Sequence, residues 1–323
     1  MYKSLTWLKL QIFPFLPNLH QQLKILRFVS TNQRMGWTSY LLILIIVVAV
    51  VSIFLYFFQE RFLFHPEKLP KDFQFQYENQ QVDEYNLELP DGAVINGLHF
   101  KPEQRSRGLV YYLKGNSKSI KGWGKFAVDF TLHGYDVIMI DYRGFGKSTG
   151  KLSQESMKKD ALYVYDRLKE KVKEEHIIVY GRSLGTGLAT KVASMNNPKA
   201  LVLACPYFSM SKNVKRYLPL VPLGLVMRYQ MPTYKWIKYV DCPINIIHGT
   251  NDRVIKFGSS LRLSKIKPDA TKLYPIIGGG HKDLHNFESY HRALGEILTS
   301  KGRTEVDREK TSIDFIRTKR KKK

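Results

Sequence analysis

The nineteen residues from Tyr40 to Phe58, YLLILIIVVAVVSIFLYFF, contain no charge, and they constrain this chain more than any other stretch. Wound as an α-helix they span about 28 Å, the thickness of a bilayer's hydrocarbon core, with every backbone hydrogen bond satisfied internally. A cleaved leader has a shorter apolar run followed by small residues. Here QERFLFHP follows, so the segment reads as a retained transmembrane anchor. A buried core helix is the competing reading, disfavoured by the length and purity of the run.

Orientation depends on where the chain starts. Residues 1–36 carry Lys3, Lys9, Lys24, Arg27 and Arg34 and no acid, which keeps the N-terminus cytoplasmic and exports the rest. Met35, in MGW, is an alternative start. A chain beginning there loses that flank and keeps Arg61, Lys68 and Lys71 beyond the helix, which weakens or reverses the orientation.

Beyond the anchor, short β-rich apolar segments alternate with helical patterns. Strands are expected near 82–88, 94–100, 108–113, 136–141, 177–180, 200–204, 244–248 and 272–276, and helices near 121–132, 153–173, 184–195, 254–265 and 284–299. The first two strands form a hairpin around Pro90–Gly92, and helices separate the later ones. This predicts an α/β fold: a mostly parallel eight-stranded sheet with helices on both faces, preceded by one transmembrane helix. With 323 residues, 44% of them hydrophobic, the chain can bury a large core. The expected divisions are a basic segment at 1–36, the anchor at 37–58, the α/β domain at 59–300 and a basic, disordered tail at 301–323. Cys205 and Cys242 are too few for a disulfide framework and each abuts a proline beside an expected strand.

The stretch IIVYGRSLGTG, Ile177 to Gly187, sets a strand against a glycine turn and an expected helix. Two chemistries fit. Gly181-x-Ser183-x-Gly185 is the pattern of a nucleophile elbow, in which a strained serine sits on a sharp strand-to-helix turn. Gly181, Gly185 and Gly187 also resemble a loop that offers backbone N–H groups to a pyrophosphate. An elbow serine needs an acid and then a histidine later in the chain, each at the C-terminal end of a strand. Asp252 follows INIIHG and His281 follows KLYPIIGGG, in that order. Asp241 is a competing acid, but it precedes its strand. The oxyanion of a tetrahedral intermediate needs preorganised donors, and the backbone N–H groups of Leu184 and Asn116 are the candidates.

Other motifs fall short. His281 and His285 have the spacing of a zinc helix, yet Lys282 occupies the position of its glutamate and glycines precede it. DYRGFGKS nearly spells a phosphate-binding loop, with Asp141 in place of its first glycine. The dinucleotide reading lacks an acid about 20 residues on, where LVLACPYF lies. His248, inside an expected strand, has no partner identifiable from the sequence. The formal net charge is +23, of which residues 1–36 hold +5 and residues 301–323, with ten basic and four acidic residues, hold +6. In an anchored chain such charge fits anionic lipid; no nucleic-acid module accompanies it.

From about Gln59 to Ser300 the chain resembles the α/β-hydrolase superfamily, and within it the small membrane-anchored serine hydrolases of the bud-emergence and depalmitoylase-like kind. The resemblance rests on FQERFLFHP, Gly115–Asn116, DYRGFGKSTG, GRSLG, HGTNDRVI and GGGHKD, six pieces in order. It implies Ser183 as nucleophile, Asp252 as acid and His281 as base, acting on an acyl ester or thioester without cofactor or metal. A serine aminopeptidase and a catalytically silent interaction module are the alternatives. The departure from the pattern is Lys114, where relatives carry histidine. Between the sixth strand and Asp252 lies an insert, Pro206 to Asp241, with YLPLVPLGLVMRY; it lines an acyl pocket, touches the bilayer or packs as a helix over the sheet edge. The expected partners are a lipid-like acyl substrate and the membrane, not nucleic acid.

Overall fold

The computed structural model describes residues 36–299; the basic segment before Gly36 and the tail after Thr299 lie outside the described residues. The elements in chain order are α1 (Trp37–Leu63), β1 (Gln81–Glu88), β2 (Val94–Lys101), β3 (Gly108–Leu113), α2 (Ile120–Trp123), α3 (Val128–Thr131), β4 (Tyr135–Ile140) and α4 (Gln154–Lys169). They continue with β5 (Ile177–Arg182), α5 (Gly185–Ala193), β6 (Ala200–Ala204), α6 (Met210–Lys215), α7 (Leu223–Val226), α8 (Thr233–Trp236), β7 (Ile244–Gly249), α9 (Gly258–Ser264), β8 (Thr271–Ile276) and α10 (Glu288–Thr299). The chain divides into two units at Val51, inside α1: the described part of the first is the opening half of that helix, and the second holds the rest. With 27 residues, α1 is long and apolar enough to cross a membrane.

All eight expected strands are present, in one sheet of order β1-β2-β4-β3-β5-β6-β7-β8. The β1–β2 hairpin is antiparallel and joins β4 antiparallel, and every pairing from β4 through β8 is parallel. The central strands are buried on both faces, which is why they read as unbroken apolar runs such as ALVLA. One face packs α4 and α5 around Val164, Tyr165, Leu188 and Val192. The other packs α10 and the 120–131 segment around Phe130, Leu294 and Leu298.

Four helix expectations ran long; the one at 284–299 opens as a 3-10 turn at Leu284–Asn286 and becomes α10 only at Glu288. The 121–132 segment is two short helices, α2 and α3, joined by a 3-10 turn at Gly124–Ala127; Gly122 and Gly124 weaken a continuous helix. The segment at 153–173 stops at Lys169, and that at 254–265 starts only at Gly258. The insert is three short helices, α6 to α8, rather than one.

The phosphate-loop lookalike after β4 is a structural knot. Arg143 reaches Asp91 in the β1–β2 turn at 2.6 Å and Asp160 on α4 at 2.7 Å, tying hairpin to helix. Gly146 has φ +51, and a Cβ there would lie 2.0 Å from Asp141 Oδ2, so the turn excludes larger residues.

Candidate active site

At the end of β5 the chain turns sharply into α5, and Ser183 at the apex has φ +53, in the left-handed region that costs an L-residue energy. The turn closes only because its neighbours lack side chains. A Cβ on Gly185 would lie 1.9 Å from Leu113 O, and one on Gly181 would lie 2.6 Å from Gly185 O. Ser183 N donates to Ala204 O at 2.9 Å, locking the turn to β6. Ser183 therefore stands at the C-terminal edge of the sheet with its hydroxyl projecting outward.

His281 leaves β8 through three glycines. Gly278 has φ +77, and Gly249 lets the end of β7 approach so closely that a Cβ would meet Gly279 O at 2.2 Å. The Asp283 carboxylate accepts from Gly280 N at 2.7 Å and closes the turn. His281 Nε2 then lies 2.9 Å from Ser183 Oγ, and Nδ1 lies 2.7 Å from Asp252 Oδ2. Nδ1 faces a carboxylate and so carries the proton, leaving Nε2 to accept from the serine hydroxyl.

Asp252 is buried just beyond β7. Its Oδ1 accepts from the backbone N–H groups of Val254 and Ile255, each at 2.8 Å. Burial opposes its ionisation, but hydrogen bonds from His248 and His281, with the Ile255 N–H, outweigh it and hold the carboxyl well below the usual carboxylate range. Asp241, the competing acid, lies at the opposite end of β7 beside Lys267.

His248 does have partners, contrary to its reading from sequence. Its Nε2 faces both Asp252 Oδ2 at 3.1 Å and Ile255 O at 2.9 Å, so that nitrogen bears the proton. Its Nδ1 sits 2.6 Å from Ser260 Oγ and accepts from that hydroxyl. His248 thus donates to the same carboxylate oxygen as His281. The signal available in the sequence was the His-x-x-x-Asp spacing across the end of a strand.

The loop after β3 carries Asn116. The Asn116 carbonyl accepts from His65 N at 3.0 Å, and its side chain donates to Leu63 O at 2.7 Å. The segment leaving α1 therefore pairs with this loop. Behind it, Lys114 is fully buried, 3.3 Å from Asp141 and donating to Lys118 O at 3.0 Å, with its ammonium 4.0 Å over the Phe145 ring. Burial pushes the Asp141 carboxyl up to about 6, against the pull of Lys114 and the Ile120 N–H, and burial lowers Lys114. The lysine that departs from the superfamily pattern is thus the cation of a buried pair that braces the loop.

Two cavities meet at Ser183 and His281. The first, of about 290 Å³, is lined by Lys118, Lys125, Arg182 and Lys282, with Trp123, Phe126 and His285 and no carboxylate. Arg182 stacks on Phe126 at 4.7 Å and donates to Lys282 O at 3.2 Å. The second, of about 440 Å³, runs past Leu184, Tyr207, Met210, Val214, Phe62 and Leu63, with His65, Asn213 and Lys282 also on its wall. Asn116 borders both.

Among the described residues one trio, Cys205, Asp252 and His281, brings metal-type donor atoms within 4.8 Å of one another. It does not fit a metal. Burial raises the Cys205 thiol and keeps it protonated, and both Asp252 oxygens are already engaged. His285, the second histidine of the apparent zinc spacing, faces the first cavity and packs on Phe126.

Residues 104–239 match the family described as serine aminopeptidase, S33. The chain is 30% identical over 225 residues to the lysophosphatidylserine lipase ABHD12 of Xenopus tropicalis, covering 59% of this chain and 57% of that one. It is 27% identical over 239 residues to the ABHD12 lipase of Mus musculus, covering 63% and 58%. The chain therefore spans a little over half the length of these relatives. An esterase of Pyrococcus furiosus superposes with a TM-score of 0.57 at 18% identity, over 73% of this chain and 97% of that one. Strand order and these matches agree, and the chain has the α/β-hydrolase fold.

Proposed function

We propose that this protein is a serine hydrolase that cleaves the acyl ester of a lipid-like substrate through an acyl-enzyme, with α1 holding it in a membrane as a single-pass anchor. The observation that carries the reading is the chain of contacts from Ser183 Oγ to His281 Nε2 at 2.9 Å and from His281 Nδ1 to Asp252 at 2.7 Å. In this mechanism His281 takes the serine proton as Oγ attacks the ester carbonyl. The carbonyl oxygen becomes an oxyanion, held by the backbone N–H groups of Leu184 and Asn116. His281 protonates the leaving alkoxide, and water, activated by the same imidazole, releases the fatty acid and regenerates Ser183. Asp252 keeps the imidazole in the required tautomer and stabilises its charged form.

The two cavities support an amphiphilic substrate. An acyl chain fits the second cavity beside Met210 and Val214, and an anionic leaving group fits the basic one. The lysophosphatidylserine named for the ABHD12 relatives has this chemistry. The same basic cavity tells against an aminopeptidase, whose substrate would bring a positive amine toward Lys118, Lys125, Arg182 and Lys282. We assign residues 37–58 to the anchor, 59–300 to the hydrolase domain, 1–36 to a basic N-terminal segment, and 301–323 to a basic tail that contacts anionic lipid.

A fluorophosphonate probe applied to membranes carrying the full chain tests the reading. Labelling of wild type that is lost in Ser183→Ala is expected, followed by hydrolysis of long-chain esters in preference to amides. An unlabelled, folded wild type would overturn it and return the silent interaction module.

A further inference from the structure

The segment 216–229, RYLPLVPLGLVMRY, is apolar on both of its sides. Val221, Leu223, Val226 and Met227 are buried inward. Tyr217, Leu220 and Leu225 point outward with 65%, 65% and 85% of their surface exposed. Water-facing loops are ordinarily polar on the outer side, so three large outward apolar groups within nine residues call for an apolar neighbour.

The end of α1 identifies that neighbour. The uncharged run finishes at Phe58, and the next residue, Gln59, is buried against the insert. Gln59 Nε2 donates to Val226 O at 3.2 Å, and Gln59 Oε1 accepts from Arg228 N at 2.8 Å. Glu60 accepts from the Tyr229 hydroxyl at 2.8 Å and pairs with Arg228 at 3.1 Å, while Phe64 packs edge-on against Tyr229. A helix rises about 5.4 Å per turn, so Val226 and its neighbour Leu225 are strapped within one turn of the last apolar anchor residue. A bilayer surrounding Ser52–Phe58 would therefore end close to the Val226 backbone that Gln59 holds. The insert's charges suit that boundary: from Ser209 to Val240 there is no acid, and Lys212, Lys215, Arg216, Arg228, Lys235 and Lys238 are all basic.

We propose that residues 217–226 form a lip seated in the bilayer surface, with Tyr217, Leu220 and Leu225 among the lipid acyl chains, and that a bilayer lipid slides its chain past Phe62, Val214 and Met210 to Ser183 without crossing water. The second cavity, lined by those three residues and Ser183, is the passage. The inference rests on reading α1 as a membrane helix, and its seating step is independent of whether Ser183 is catalytic.

The test uses the full-length protein in phosphatidylcholine–phosphatidylserine vesicles, with a fluorescent bimane label on Leu225→Cys; Cys205 and Cys242 are buried. Quenching by lipids carrying a nitroxide on the acyl chain, with protection from iodide in the water, is the expected result. Quenching by iodide and none by the nitroxide lipid would overturn the lip, whatever the enzyme does. In a second measurement, Leu220→Asp with Leu225→Asp is expected to lower hydrolysis of a long-chain ester held in the vesicles by about tenfold or more, the scale of losing buried apolar contact. Hydrolysis of a water-soluble butyrate ester by the same preparation should be unchanged. Equal loss of both, or of neither, would count against the passage, and failure of wild type to cleave any ester would sink the hydrolase reading alone.

Discussion

Ser183 holds a left-handed backbone conformation that costs a residue with a side chain about 1–3 kcal/mol, and the fold accepts it where the hydroxyl meets His281. Removing that hydroxyl in Ser183→Ala should lower ester turnover by about ten-thousandfold or more while leaving the melting temperature at or above that of wild type, measured by kinetics and calorimetry. Asp252→Asn should cost roughly ten-thousandfold in kcat, because an amide lets His281 settle in the wrong tautomer. The same variant should change acid sensitivity. Asp252 keeps its charge in the fold at pH values where the unfolded chain takes up a proton. Its contribution to stability is therefore complete above the ordinary carboxylate range and lost as pH falls through and below it. The gap in melting temperature between pH 7 and pH 3 should accordingly be smaller in Asp252→Asn than in wild type. His248→Phe leaves the Asp252–His281 contact but removes one donor from the carboxylate; kcat should fall about tenfold, the worth of one hydrogen bond to a charged group. That Ser183, Asp252 and His281 come together was legible in the sequence because each follows an apolar strand in a fixed order. His248 was not, because its role arises from the 249–255 loop folding back over the end of its own strand, a contact that strand periodicity does not encode.

The elements that carry these residues were legible to different degrees. The central strands, buried on both faces, are continuous apolar runs, while the edge strands β1 and β8 are only partly buried and show as mixed segments; all eight could be placed within a residue or two. Helix ends were less visible: α4 stops where Lys169 and Glu170 pass into a polar turn, and α2 and α3 are parted by glycines whose place is set by the packing of Tyr77 against Gly124. The glycine turn between β5 and α5 is a case where sequence pattern and close packing agree. Gly185→Ala should destabilise the protein by about 3 kcal/mol or more in a denaturant titration, because the new methyl meets backbone that has no room to move. Lys114 shows the opposite situation: it breaks a familiar pattern, and its meaning lies in the buried Asp141, Phe145 and Tyr142 around it. Lys114→Met strands a carboxylate in a dry site and should lower stability by about 3–5 kcal/mol, seen as a lower denaturation midpoint.

At the scale of the whole molecule, the apolar run of α1, the mixed sheet and the basic balance were all present in composition and pattern, since bilayer thickness and sheet burial both demand long uniform segments. The cavities were not, because they are made where Trp123, Arg182 and Lys282 converge from loops far apart in the chain. If α1 spans a bilayer, the full chain should stay in the pellet after alkaline carbonate extraction of membranes and should leave it only with detergent. One pairing gives the anchor a second meaning. His65 lies in a β-bridge with Ser117, and Leu63 accepts from the Asn116 side chain. The end of α1 and the residues just after it are thus also masonry of the cleft. Trimming the chain to a form that begins beyond residue 65 would take Phe62, Leu63 and His65 out of the second cavity's wall, so a shortened chain that keeps this side of the cleft has to begin no later than Gln59.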